Sequence, residues 1–137
     1  MVDSDIPGLE ETLQQNQSYD IDLGVKYGFL ELIAIAAIAA AATSKWSNRT
    51  LCAINDCVVR LGVVQGEFHW HKHEREDEFF LVIEGELSID LDDGSTVRLG
   101  PHQGYAVPRG QVHRTRAPER TVMLMIEGAT VTPTGDG

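Results

Sequence analysis

The chain has 137 residues, the size of one domain and too short for two full ones. Its 42% hydrophobic and 23% charged residues describe a globular protein and exclude a disordered one. Eleven Lys+Arg against 21 Asp+Glu give a formal charge of -10, which excludes nucleic acid or an anionic membrane as the main partner, since those surfaces need clustered cations. Two cysteines, Cys52 and Cys57, are too few for a disulfide scaffold and fit a reducing, cytoplasmic setting.

In chain order, a short helix is expected around Ile6, Leu9 and Leu13, then a longer one from about Asp22 to Thr43. The second contains eleven uninterrupted apolar residues, Leu32–Ala42, in an alanine-rich run that favours helix. That run is too short to cross a membrane, which takes ~20 residues. It is preceded by Asp3, Asp5, Glu10, Glu11, Asp20 and Asp22 rather than by the positive charge of a secretory signal. A helix apolar nearly all round must pack on the rest of the domain or on a second subunit, so a homodimer is expected. Composition shifts near Trp46, dividing an N-terminal helical extension, 1–45, from a β domain, 46–137.

The β domain reads as short runs over 57–64, 67–73, 78–83, 86–91, 96–99, 104–107, 112–116 and 121–126. Turn signals separate them, Asp93-Gly94 being the strongest hairpin signal among them. Seven or eight short strands with regular turns point to an antiparallel sandwich or small barrel rather than a βαβ fold. The tail from Thr132 to Gly137 is expected to be loose.

All five histidines lie between residues 69 and 113, and His69, His71 and His73 recur with period two. On a strand such residues share a face, and a stack of imidazoles suits a metal better than a dry core. Glu78 follows at the start of the next run, and Pro108-Arg109-Gly110 forms a turn that sets His113 at the head of another. Imidazole nitrogens with one carboxylate suit Zn, Fe, Mn, Ni or Co and leave positions open for a ligand. The same parity turns Glu67, His69 and Gln65 inward with the histidines and Phe68 and Trp70 outward. Glu67 and His69 are then the candidate catalytic residues, a carboxylate base and a proton-moving imidazole. Arg114 and Arg116 alternate with His113 and should point away from the site.

The spacing resembles the cupin superfamily. Gly66 to Gly85 is similar to its first motif: His71-Lys72-His73, four residues, Glu78, six residues, Gly85, with the leading spacer one residue short. Shifting the pair to His69 and His71 would put Glu76 at the acidic position but Ile83 where glycine belongs. Pro108, Gly110 and His113 match the second motif, while His102 stands at its leading glycine and Ala117 at its closing asparagine. The resemblance covers about 46–136, closes on Pro133-Thr134-Gly135-Asp136, and suggests the small single-domain type. It implies a mainly β fold, a single antiparallel cupin-type β-barrel (jelly roll), often dimeric. It also implies one divalent metal ion held by His71, His73, Glu78 and His113.

Three functions then compete. The first is a metal-dependent enzyme acting on a small oxygenated metabolite by Lewis-acid and general-base chemistry, of isomerase, dehydratase, lyase or cyclase type. The second is an Fe(II) dioxygenase, and the third a non-catalytic cupin that binds metal or a small molecule. Three neutral imidazoles and one carboxylate leave a divalent ion a net +1, a concentrated positive charge in a chain of -10.

Overall fold

The computed structural model describes residues 19–136. The expected helix around Ile6, Leu9 and Leu13 lies outside the described residues. The elements are β1 (Asp20–Asp22), α1 (Ile35–Ala41), β2 (Trp46–Ile54), β3 (Cys57–Glu67), β4 (Glu78–Glu84), β5 (Leu87–Leu91), β6 (Thr96–Leu99), β7 (Gly104–Val107) and β8 (His113–Gly128). The fold is mainly β. All eight strands join one sheet, whose hydrogen-bonded path runs β1-β2-β3-β8-β4-β7, with β5 attached to β8 and β6 to β5. All pairings are antiparallel except β1 with β2. The path does not return on itself, so the jelly roll is curled but not closed by hydrogen bonds.

β8 organises the sheet. Its first part, His113–Arg116, pairs with β5, and its second, from Val122 to Glu127, pairs with β4. β3 lies along its other edge, and there the register jumps: Val64 faces Thr121 but Gly66 faces Ala117. Three β8 residues, 118–120, thus stand opposite Gln65 alone. Pro118 has no N–H to give the ladder, so the interruption falls where a donor is missing in any case.

Two apolar layers form on the faces of this sheet. Inside lie Trp46, Val64, Phe68, Phe80, Val82, Leu87, Ile89, Leu99, Val107, Ala117, Met123 and Met125. Outside, Leu51, Leu61, Val63 and Val122 are covered by Ala39 of α1 and by Tyr27, Ile33, Ile35 and Ile38. Gly85, where β4 turns toward β5, has φ +93°, and a Cβ there would come 2.5 Å from Thr121 Oγ1 and 2.8 Å from the Arg120 carbonyl oxygen. Only glycine fits so close a pass. Outside the same wall, Asp90 accepts from Arg116 at both oxygens (2.7 and 3.0 Å), from Arg114 Nε (2.9 Å) and from Thr96 Oγ1 (2.6 Å), tying β5, β6 and β8 together. Arg114 and Arg116 thus point away from His113, as alternation requires.

Four expectations are corrected. The long helix shrinks to Ile35–Ala41, because Asp20–Asp22 pairs as a strand with Ser47–Arg49 and the N–H groups of Lys26 and Tyr27 donate to Thr50 and Leu51. Chain whose N–H groups are committed to a sheet cannot turn them inward for a helix. A strand missing from the sequence reading, Trp46–Ile54, forms a hairpin with β3 across Asn55-Asp56; its polar Ser47, Asn48 and Thr50 hid it, yet all three are buried. The run expected over 67–73 is not a strand: beyond Glu67 only an isolated bridge, His71 with His113, continues the pairing. The break follows Gly66, whose φ of +106° ends the pleat. The tail is not loose: Gly135 N–H donates to Thr132, and Asp136 N–H to Lys72, at 2.8 and 2.9 Å.

No helix among the described residues is long and apolar enough to cross a membrane. Deleting residues 1–45 should uncover Leu51, Leu61, Val63 and Val122 together, a patch of the kind that drives aggregation. Light scattering and a thermal melt of the truncated protein check this. A truncated protein that stays dispersed and melts with the full chain would show the cover to be dispensable.

Candidate metal centre

The loop 68–77 keeps its hold on β8 without being a strand. His71 and His113 exchange backbone hydrogen bonds of 2.9 Å, Phe68 N–H donates to Thr115, and Gly110 N–H donates to the His73 carbonyl at 2.7 Å. This stitching brings together one donor atom each from His71, His73, Glu78 and His113, all within 4.8 Å of one another. Glu78 Oε1 lies 3.5 Å from His73 Nε2 and 3.3 Å from His113 Nε2. Those three atoms are buried and have no hydrogen-bond partner.

An unpaired buried polar atom costs about 1–3 kcal/mol, so three at one point ask for a common partner. Ligands about 2.1 Å from a tetrahedral ion stand about 3.4 Å apart, which is the spacing found here. The rings are also turned for it. His71 donates Nδ1–H to the His69 carbonyl and His113 donates Nδ1–H to the Gln111 carbonyl, each at 2.9 Å, which leaves both Nε2 lone pairs bare. Residues and orientation therefore fit a divalent ion.

Burial, with the neighbouring His113, pushes His71 down to about 3, so the ring is neutral at physiological pH. Burial works against charge on His73 too, but the adjacent Glu78 carboxylate outweighs it and raises that pKa. Burial would raise Glu78, yet His113 and His73 beside it hold it well below the usual carboxylate range.

Glu127 stands opposite Glu78 in the β4–β8 register. Burial, and then the charge of Glu78, push it up to about 9. Its other neighbour is Arg60, buried, which donates a guanidinium hydrogen bond to Glu127 and another through Nε to Thr50 Oγ1 at 3.0 Å. Sequence reading missed Glu127 and its partner Arg60. The available signal was parity: Arg60 shares the inward face of β3 with Val58, Gly62 and Val64.

The structure does not bring Glu67 to this group. Parity predicted it inside, but the pleat ends at Gly66, and Glu67 lies 60% exposed on the outer face, 3.4 Å from Arg114. For the same reason Phe68, expected outside, is buried and stacked on Tyr19 at 4.4 Å and Trp46 at 5.2 Å. Trp70 does face outward, with the Arg114 guanidinium 5.1 Å over its ring. His69 stays beside the cluster, its ring 5.4 Å from that of His71. Both its nitrogens are engaged, with Tyr19 Oη at 3.2 Å and the Thr134 carbonyl at 2.7 Å.

Next to the cluster lies a cavity of about 30 Å³ lined by Trp46, Val64, Phe68, Phe80, Met123 and Met125, with His71 and Glu78 in its wall. That is room for about two waters before any side chain moves. Asn48, also in the wall, has a buried Oδ1 with no partner.

In the metal-free protein, folded Glu127 keeps its proton up to about pH 9, whereas the unfolded chain loses it above about 4.5. Stability from this group is therefore full below 4.5 and declines as pH rises toward 9. Melting temperatures between pH 5 and 9 should fall in the wild type and fall less in Glu127→Gln, which keeps an oxygen for Arg60 and has no proton to lose.

The family model for the cupin domain matches residues 58–127. YdbB of Bacillus subtilis, an uncharacterized protein, is 44% identical over 93 residues, covering 68% of this chain and 82% of that one. A crystal structure of a cupin-2 domain containing protein from Shewanella frigidimarina superposes with a TM-score of 0.67 at 33% identity, covering 71% of this chain and 94% of that one. Ectoine synthase from P. lautus shares the fold, with a TM-score of 0.60 at 20% identity over 75% of this chain and 80% of its own. A match over half the chain, together with a 44% identical relative, places this protein in a family: the chain belongs to the cupins.

Proposed function

We propose that this cupin is a metal-dependent enzyme that binds one divalent ion through His71, His73, Glu78 and His113 and acts on a small oxygenated metabolite. The observation that carries the reading is the convergence of three buried, unpartnered atoms, His73 Nε2, His113 Nε2 and Glu78 Oε1. Bound there, a divalent ion supplies Lewis-acid chemistry to an oxygen donor of the substrate. The chain's own groups do the rest. Trp46, Phe68, Phe80, Met123 and Met125 give the cavity an apolar wall, and the two methionines, being flexible, can shift to admit the substrate's apolar part. Asn48 offers its unpaired Oδ1 to a substrate hydroxyl or N–H. Of the two groups the sequence offers for proton transfer, His69 is the one beside the cluster; Tyr19 and Thr134 hold its ring, so it moves a proton only by exchanging its Tyr19 bond for one to the substrate. Glu67, paired with Arg114 outside, takes no part.

Elemental analysis of the purified protein tests this reading, with the expectation of about one divalent ion per chain and its loss in His73→Ala. Wild-type metal content in that variant would overturn the ligand set. Oxygen uptake during turnover would replace Lewis-acid chemistry with the dioxygenase reading.

We also propose that residues 46–137 form the site-bearing domain and that the N-terminal segment covers it and makes a homodimer contact. In support, Leu23, Val25, Phe29, Leu30 and Leu32 are all exposed although apolar, while the side chains that follow them in α1 are packed on the sheet. Sedimentation should give a dimer for the wild type and a monomer for a Phe29→Asp/Leu32→Asp double variant. A wild-type monomer would sink the proposal.

A further inference from the structure

Of the three candidate ligand imidazoles, two send Nδ1–H to a carbonyl two residues earlier in the chain. His73 does not. Its Nδ1 is buried and has no partner, although the residue is only 2% exposed. A carboxylate oxygen of Asp136 and one of Glu76 lie with a His73 ring nitrogen inside a 4.8 Å group. His73 Nε2 faces Glu78, so the nitrogen left for these carboxylates is Nδ1, on the other side of the ring.

The two carboxylates are not equivalent. Glu76 Oε2 is taken by Thr130 Oγ1 at 2.6 Å. Asp136 is pinned across His73 itself: its N–H donates to the Lys72 carbonyl at 2.9 Å, and its Oδ2 accepts from Glu74 N–H at 2.7 Å. The tail that carries it runs hard against the histidines. At Gly135, φ +97°, a Cβ would come 2.5 Å from His71 Cβ.

We propose that Asp136 is a positioning residue for the metal centre: it accepts a hydrogen bond from the Nδ1–H of His73 and so fixes the tautomer that leaves Nε2 bare for the ion. A shift of at most about 2 Å brings the pair from the present separation to hydrogen-bond length. The C-terminal tail thereby becomes part of the site, completing for His73 what backbone carbonyls do for His71 and His113. The inference rests on the proposed metal site, and the test separates the two.

Zinc is titrated calorimetrically into metal-free full-length protein and into Asp136→Asn. Asparagine keeps an oxygen for Glu74 N–H but removes the carboxylate charge that favours Nδ1–H on His73, so loop contacts survive and the acceptor is weakened. Affinity should fall about 10–100-fold while the melting temperature of the metal-free variant stays near wild type. Nitrogen-15 spectra of the ring report the tautomer directly, and Nδ1–H on His73 in the wild type is expected. Equal zinc affinity in both proteins, or Nε2–H on His73 in the wild type, overturns the role of Asp136. A wild type that takes up no zinc overturns the metal site itself. The tautomer in the wild type decides the matter even if the variant does not fold.

Discussion

One strand has to serve two walls, and the position of every group in the site follows from that. His113 and Glu127 are fourteen residues apart on β8, about 46 Å if the strand ran straight. Glu78 nevertheless faces Glu127 in register and lies 3.3 Å from His113 Nε2. Both contacts are possible only because β8 turns back on itself, and the turn falls at 118–120, where the ladder with β3 is interrupted and β5 gives way to β4. Asp90, bonded to Arg114 and Arg116 just ahead of the interruption, holds the first wall in place.

Curling the sheet creates the problem that the site then answers. Two carboxylates, an arginine and two histidines are buried at one end of an interior otherwise made of Trp46, Phe68, Phe80, Val82 and methionines. Charges in such surroundings are tolerated only when each has a partner. On the deep side the charges of Arg60 and ionised Glu78 balance across Glu127, which accepts a hydrogen bond from Arg60 and keeps a proton rather than add a second negative charge beside Glu78. The shallow side has bare ring nitrogens and a carboxylate oxygen, and beyond them a small cavity with mainly apolar walls. The cation proposed for this site would meet the unmet valence on that side, in the low-dielectric setting of the apolar wall.

The coverings come from the two ends of the described chain. Tyr19 closes the stack over Phe68 and reaches His69, while α1 and the segment before it lie on the outer face. From the other end, Pro133 lines the cavity, the Thr134 carbonyl meets His69, and Asp136 bridges Lys72 and Glu74. The histidine loop, which is not a strand, is thus held by both termini of the fold in place of the ladder it lacks.

How much of this was legible in the sequence depends on the range of the interaction behind each feature. Turn chemistry is local. Asp93-Gly94 and Pro108-Arg109-Gly110 therefore marked real breaks, and the strands 78–83, 96–99 and 104–107 lay close to where alternation put them. The group His71, His73, Glu78 and His113 could be picked out because three of its members sit within eight residues around a turn and the fourth follows a Pro-x-Gly. Parity, by contrast, is only as good as the strand beneath it: Gly66 ends the pleat, so Glu67 went outside and Phe68 inside against expectation. Trp46–Ile54 was invisible because its polar residues are buried by neighbours remote in sequence. The sequence by itself determined the fold class, the turns and the residue types with chemistry to offer, all set by interactions within a few residues. Tertiary structure alone decided which carboxylate sits beside the histidines, that Glu127 is the one kept protonated, and that the tail reaches the site. Those outcomes depend on distances between segments far apart in the chain, which only the curl of β8 brings together.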